Sequence, residues 1–359
     1  MSSVTSYAPG RVELLGNHTD YNGGVVLSAA IDLGISAQGC RRDDDKVVLT
    51  SQGLPGFVEA DLAALTPGKA WADYPCGVAS VLREAGYPIS GFEADFSSTL
   101  PLGAGLSSSA ALEVCTAVLL TRLNDFHLPR LDLAKLCRKA ENDFVGVSCG
   151  LLDQVSSIFG EKGRAIFLDC RAETVETVPV PSGVGLLIVH SAVEHALTGG
   201  EYNERRAQCF EAARILGVPA LRDATTDQVL AADMPDIVRR RALHITGENE
   251  RVLEALGFLR KGDAAAFGKL MSASHRSSIE NFENSTPELD ALVGIACAEP
   301  GVYGARLTGG GFGGAIVSLV ELASIARIAA TIEQKYLQRT GHKGVAYQCA
   351  MGDGAIPAE

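Results

Sequence analysis

The sequence predicts an α+β fold in two parts, with α/β as the neighbouring alternative. Three observations carry this reading. The chain has 359 residues, more than one hydrophobic core usually organises. Extended segments fill much of the first half and return near the C-terminus, whereas helical patterning dominates from about Tyr202 to Ala298. Between them, the Pro, Ser and Gly punctuation of VPVPSG near residues 179–183 marks a boundary, giving expected domains over 1–180 and 181–359.

Residues 1–60 read as short strands broken by glycine and charge. IDLGISAQG is extended, RRDDDK is a solvated turn, and KVVLTSQG resumes the strand. FEADF alternates apolar and polar residues, as a half-buried strand does. Ala110 to Leu120 is almost continuously apolar and rich in Ala and Leu, which favours a buried helix over a strand. Asp132 is expected to cap a following helix whose Leu133, Leu136, Ala140 and Phe144 share one face. GRAIFLD and GVGLLIVHS, on either side of VPVPSG, are strand candidates. After the helical stretch come a strand, a glycine turn, a second strand at AIVSLV, a helix and a final strand at GVAYQCA.

Composition narrows the function. Apolar residues at 47% and charged residues at 21% describe a folded globular chain. A net charge of -12 does not suit a nucleic-acid binder, which needs a basic surface, but it leaves room for a local cationic pocket. Nine cysteines, an odd number without a CxxC pair, predict a reduced cytoplasmic protein. MSSVTSYAPGR lacks a basic, then apolar, leader pattern, so no signal peptide is expected. No apolar run is long enough to span a bilayer, so no membrane partner is expected either.

Four places gather chemistry. Leu102-Gly103-Ala104-Gly105-Leu106-Ser107-Ser108-Ser109-Ala110 lies between a strand and a buried helix. Its glycines permit close backbone approach, and a helix N-terminus offers free N–H groups to anionic oxygens. A plain turn with a serine cap remains the alternative. The segment is neither a Walker A loop nor a dinucleotide fingerprint. Thr308-Gly309-Gly310-Gly311-Phe312-Gly313-Gly314 carries five glycines in seven positions, too costly in entropy for a turn alone to explain well. The run from Pro9 to Gly24 gathers Arg11, Asn17, His18 and Asp20, groups suited to a polyhydroxylated ligand. Glu141 and Asp153 are the acids of the middle. Asp153, within CGLLDQV, is expected to be partly buried and to need a partner such as Arg11 or a metal-bound phosphate.

Together these segments resemble the three motifs of the GHMP kinases, and GRVELLGNHTDYNGG resembles the galactokinase branch of that superfamily. WADY at Trp71, AENDFVG, CGLLDQ, GGEYNERRAQC, SHRS, PELD and GVYGARLTGGGFGG follow in the same order over nearly the whole chain. The resemblance implies an N-terminal domain like ribosomal protein S5 and a ferredoxin-like C-terminal domain, with the active site in the cleft between them. It implies ATP and Mg²⁺, and phosphorylation of D-galactose at its C1 hydroxyl within galactose metabolism. Gly103, Gly105, Leu106, Ser107, Ser108 and Ser109 would hold the phosphates, Trp71 and Tyr74 would flank adenine, and Ser109 and Glu141 would hold the metal. Asp153 would be the catalytic carboxylate with Arg11 beside it. Asn17, His18, Asp20, Gly150 and Tyr202 would contact sugar. Gly309, Gly310, Gly311 and Gly313 would support the phosphate loop. A monomer is expected.

Two departures from the family pattern stand out. Asn17 replaces the usual Glu of GEHTD, and if it faces the C6 end of the sugar it predicts side activity on galacturonate. Galactokinases also carry an N-terminal extension before the first motif, whereas APGR begins here at Ala8, which predicts a missing docking element or a late start. The alternatives are a C1 kinase for galacturonate, N-acetylgalactosamine or arabinose, and a non-catalytic sensor of galactose and ATP that binds a transcriptional regulator.

Overall fold

The computed structural model describes residues 3–54, 56–68, 70–101, 103–147, 149–193 and 200–356, so Leu102 and Gly199 of the quoted motifs lie outside the described residues. In chain order the first sheet is built from β1 (Val4–Leu15), β2 (Val25–Arg41), β3 (Lys46–Ser51), β4 (Val58–Asp61), β5 (Phe92–Ser98), β6 (Arg164–Asp169) and β7 (Thr174–Pro179). Its order is β4-β3-β5-β2-β6-β7, with β1 paired antiparallel to β2. Only the β3–β5 pair among these is parallel.

The opening strands are long, not short. Glycines do not break β2, because they answer close approach between strands. A side-chain carbon at Gly34 would lie 2.4 Å from the Ala8 carbonyl oxygen, and one at Gly39 would lie 2.5 Å from that of Glu93. β7 was not foreseen. It is an edge strand, which tolerates its terminal Pro179 and shows little apolar signal.

α1 (Asp73–Glu84), α2 (Ser108–Leu123), α3 (Arg130–Lys139) and α4 (Leu152–Phe159) complete the first half. α2 is buried along nearly its whole length against β1 and β2, as its composition predicts. Asp132 does not cap α3. The helix begins at Arg130 after Pro129, and Asp132 sits in the first turn, where a negative charge still suits the helix dipole. The apolar stripe also bends: α3 ends at Lys139 and a π-turn at Ala140–Val145 carries Ala140 and Phe144 onward. Phe144 then packs against Gly77 of α1.

The second half holds α5 (Gly200–Leu216), α6 (Thr226–Ala231), α7 (Asp236–Lys261), α8 (Ala264–Ser277), α9 (Pro287–Cys297) and α10 (Ile325–Thr340). It also holds an antiparallel sheet, β8 (Val184–His190), β9 (Val302–Thr308), β10 (Ala315–Glu321) and β11 (Val345–Cys349), in the order β11-β8-β10-β9. Alternation along β8 sends Leu187 and Val189 into a core with α9 and α10, while Leu186 and Ile188 join the main core of the first half. The expected 180/181 boundary falls in the link between the sheets, yet the core runs across it. The C-terminal segment also returns to the first half, where the Gly352 N–H donates to the Ala30 carbonyl at 3.0 Å. No helix of the described residues is long and apolar enough to cross a membrane.

Candidate functional site

β1, the loop before α2, the start of α4 and the β9–β10 turn converge. Arg11 is nearly buried on β1, and its backbone N–H donates to the Leu106 carbonyl at 3.1 Å, seating the loop on the strand. Gly10 permits that approach, since a side-chain carbon there would lie 2.7 Å from the same carbonyl oxygen. The Arg11 guanidinium donates Nε–H to Asp153 Oδ1 and Nη2–H to Oδ2, both at 2.8 Å, and Nη1–H to the Gly105 carbonyl at 2.8 Å. Ser107 adopts φ 57° and donates its hydroxyl to Asp153 Oδ2 at 2.5 Å, so it does not cap α2 with its side chain. Three donors therefore fix one carboxylate at the mouth of a helix whose first-turn N–H groups no side chain claims among the described residues. Gly103 and Gly105 both have positive φ, the conformation that glycine permits at low cost.

Behind this loop lies a second acid cluster. Glu141 sits in the π-turn after α3, a helical irregularity frequent at functional sites. The Ser109 hydroxyl reaches its carboxylate, which also accepts from the Gln154 amide at 2.8 Å and the Cys149 thiol at 3.0 Å. The same Gln154 nitrogen donates to Glu113 at 3.0 Å. Burial, and then the charge of Glu141, pushes the fully buried Glu113 carboxyl up to about 9; burial raises Glu141 as well. Glu113 and Gln154 were not foreseen as site residues. The signal for Glu113 was a lone acid inside the apolar run ALEVCTAVLL. Trp71 lies just before α1 with its ring edge-on to Phe96 at 6.0 Å. Tyr74 lies in the first turn of α1 beside the acid cluster; burial and then Glu141 and Glu113 raise its pKa.

The segment Gly16–Gly24 forms the other wall. His18, at φ 61°, offers Nε2 to the Gly310 carbonyl and Nδ1 to the Tyr21 hydroxyl, each at 2.9 Å. Burial lowers its pKa to about 4, so the imidazole is neutral near pH 7. Tyr202, in α5, places its ring 5.0 Å from that of His18. Asp20 is half-buried, and burial pushes its carboxyl up to about 6. It lies against Gly150, where a side-chain carbon would sit 2.1 Å from Asp20 Oδ2.

Asn17 is enclosed. Its amide donates to Glu13 Oε1 at 2.9 Å and to the Gly309 carbonyl at 2.8 Å, and its oxygen accepts from Asn284 at 2.8 Å. Glu248 of α7 is fully buried and takes the backbone N–H groups of Gly16 and Asn17 at 2.8 and 3.0 Å. Burial opposes its charge, but Arg251, His244 and Arg306 outweigh that and hold its pKa low. No sequence signal exposes Glu248, because its partners stand 232 and 231 residues away.

The glycine turn touches both walls. A side-chain carbon at Gly309 would lie 3.5 Å from the Gly105 carbonyl oxygen, so the turn abuts the phosphate-loop candidate. Its carbonyls also hold Asn17 and His18, and Gly311 fits beneath Asn284. Gly313 has φ 128°, a conformation side chains disfavour.

Similarity to known proteins follows the same segments. Residues 73–161 match the family model for the GHMP kinases N-terminal domain, residues 2–40 the galactokinase galactose-binding signature, and residues 253–338 the GHMP kinases C-terminal model. A curated galactokinase from Roseiflexus sp. is 40% identical over 97% of this chain and 91% of its own length. One from Haemophilus influenzae is 40% identical over 99% and 94%. The crystal structure of Lactococcus lactis galactokinase complexed with galactose superposes with a TM-score of 0.94 at 36% identity, covering 98% of this chain and 94% of that one. A Methanococcus jannaschii mevalonate kinase, at 20% identity and a TM-score of 0.72, shares the fold.

Proposed function

The chain belongs to the galactokinase family of GHMP kinases, and on that premise we propose how its residues carry out phosphoryl transfer from ATP to the C1 hydroxyl of D-galactose. The reaction gives galactose 1-phosphate and ADP. The observation that carries the residue-level reading is the clasp of Asp153 by Arg11 and Ser107, seated at the N-terminus of α2.

Asp153 accepts the proton of the C1 hydroxyl as that oxygen forms its bond to the γ-phosphorus and the bond to ADP breaks. Arg11 orients the carboxylate, and its cationic charge faces the negative charge of the transferring group. The loop from Gly103 to Ser109 offers backbone N–H groups to the phosphates, while Trp71 and Tyr74 flank the adenine. His18, Asp20, Gly150 and Tyr202 line the sugar side. The Gly309–Gly314 turn, supported by its contacts to both loops, holds the two walls in register.

Ser109 and Glu141 fit a Mg²⁺ site: one hydroxyl and one carboxylate, within reach of each other, suit a cation that takes oxygen ligands and leaves room for water and phosphate. Bound there, the ion would neutralise phosphate charge. Gln154 and Cys149 hold the carboxylate in place. We place the division between the two domains at 180/181, in the link between the sheets. All nine cysteines are free, which suits a reducing cytoplasm.

ADP release measured across a panel of sugars with a free C1 hydroxyl tests the proposal. Galactose should give the highest kcat/KM, with no release when the sugar is omitted. A preference for arabinose or N-acetylgalactosamine would overturn the sugar assignment, and ADP release with none of them would overturn the kinase reading.

A further inference from the structure

Asn17 and Glu13 divide their roles differently from what the motif suggests. Both amide hydrogens of Asn17 are taken, by Glu13 Oε1 and the Gly309 carbonyl, so this side chain has no donor left for a ligand. Glu13 is the reverse case. Its Oε1 receives Asn17 and lies 3.0 Å from Nη1 of the fully buried Arg306, whereas among the described residues Oε2 receives no hydrogen bond. Glu13 as a whole is nearly buried, so its carboxylate gains from any donor that reaches the open oxygen.

The strand aims Glu13 at the cleft. Arg11 and Glu13 flank the fully buried Val12 in a regular stretch of β1, so they point to one face, roughly 6.6 Å apart along the strand. Arg11 grips Asp153 on that face. Glu13 therefore stands about one sugar ring away from the reacting end, on the side where its charge is felt by Asp20.

We infer that Glu13, not Asn17, is the specificity-determining residue: its free Oε2 accepts a hydrogen bond from one non-reacting hydroxyl of the sugar, while Asn17 and Arg306 hold the carboxylate in position. The ligand class is a neutral polyol. Arg306 and Arg11 favour the charged form of Glu13, although burial opposes it, and a sugar carboxylate finds an acceptor rather than a donor there, so galacturonate is disfavoured, contrary to what Asn17 alone suggests. The inference rests on the galactose-kinase reading above.

The test has two arms. In the first, kcat/KM is measured for galactose and its 2-, 3-, 4- and 6-deoxy analogues with the wild type and Glu13→Gln, alongside melting temperature. A hydrogen bond to a charged group is worth roughly ten- to a hundredfold, so the preference for galactose over one analogue should fall by at least about tenfold, with the other ratios unchanged. An active variant whose ratios all match the wild type overturns the inference and leaves the kinase reading standing. A wild type inactive on galactose overturns the kinase reading itself. In the second arm, which does not depend on how the variant folds, the wild type is crystallised with galactose. A sugar oxygen about 3 Å from Glu13 Oε2 is expected, and none within about 4 Å overturns the inference.

Discussion

Asp153 and Arg11 are 142 residues apart in the chain, yet both carboxylate oxygens of the one meet the guanidinium of the other at 2.8 Å. A two-point contact of this kind fixes the plane of the carboxylate as well as its place. Replacing either partner should therefore damage the chemical step more than sugar binding. Asp153→Asn and Arg11→Ala should each lower kcat on the order of 10²–10³, with a much smaller change in the Kd for galactose. Steady-state kinetics with calorimetric binding checks this. Either variant retaining more than about half of the wild-type kcat would remove that residue from the chemistry.

Metal dependence should trace to α2 and the π-turn. Wild-type activity should vanish in excess EDTA and return with Mg²⁺. Ser109→Ala should keep its melting temperature and need more Mg²⁺ for half-maximal rate, because the hydroxyl it removes reaches the Glu141 carboxylate, the other proposed ligand. An unchanged Mg²⁺ titration for Ser109→Ala would return this serine to an ordinary surface role.

Gly311 is constrained twice. Its φ is +82°, and a side-chain carbon would lie 2.2 Å from the Asn284 carbonyl oxygen. Gly311→Val should cost on the order of 1–3 kcal/mol from backbone strain, with the clash added, and should loosen the carbonyl that holds His18. Thermal melting together with the KM for galactose reads both effects. A variant that melts like the wild type and keeps its KM would mean the turn accommodates a side chain.

Asp20 gives a pH dependence with a definite sign. In its proposed role Asp20 accepts sugar hydroxyls as a carboxylate, which, with a pKa raised to about 6 by burial, forms only as pH rises through that value. The kcat/KM for galactose should fall below about pH 6. Asp20→Asn should lower the plateau and remove that limb. For stability the sign runs the other way: the folded chain keeps a proton that the unfolded chain loses near pH 4, and this contribution is lost as pH rises through about 6. Asp20→Asn should thus melt no lower than the wild type above pH 6. A pH profile of the variant that keeps the acidic limb would assign it to another group.

Much of the candidate site is legible because its parts are local in sequence. The glycine loop, the serines of α2 and the HTDYNGG segment each hold their chemistry within a few residues, and the strand and helix patterns around them were plain. The rest depends on pairs distant in the chain. Glu248 reaches Gly16 and Asn17 from a long amphipathic helix, where one more acid looks like a solvated charge. Glu13 sits inside the first motif, but no spacing rule connects it to the buried Arg306 that lies beside it. β7 carries little sequence signal because an edge strand need not alternate strongly, and Asp132 reads as a cap because a first-turn acid and a cap look alike in sequence.

Transfer of the γ-phosphoryl group to the C1 hydroxyl of galactose at the Asp153–Arg11 clasp is read out by the position of the phosphate in the product. The protein is incubated with ATP, Mg²⁺ and galactose, and the product is examined by phosphorus-31 NMR with coupling to sugar protons. A single sugar phosphate coupled to the anomeric proton, formed in step with ADP and lost in Asp153→Asn, is expected. A phosphate coupled to the C6 protons, or ADP released without any sugar phosphate, would contradict it.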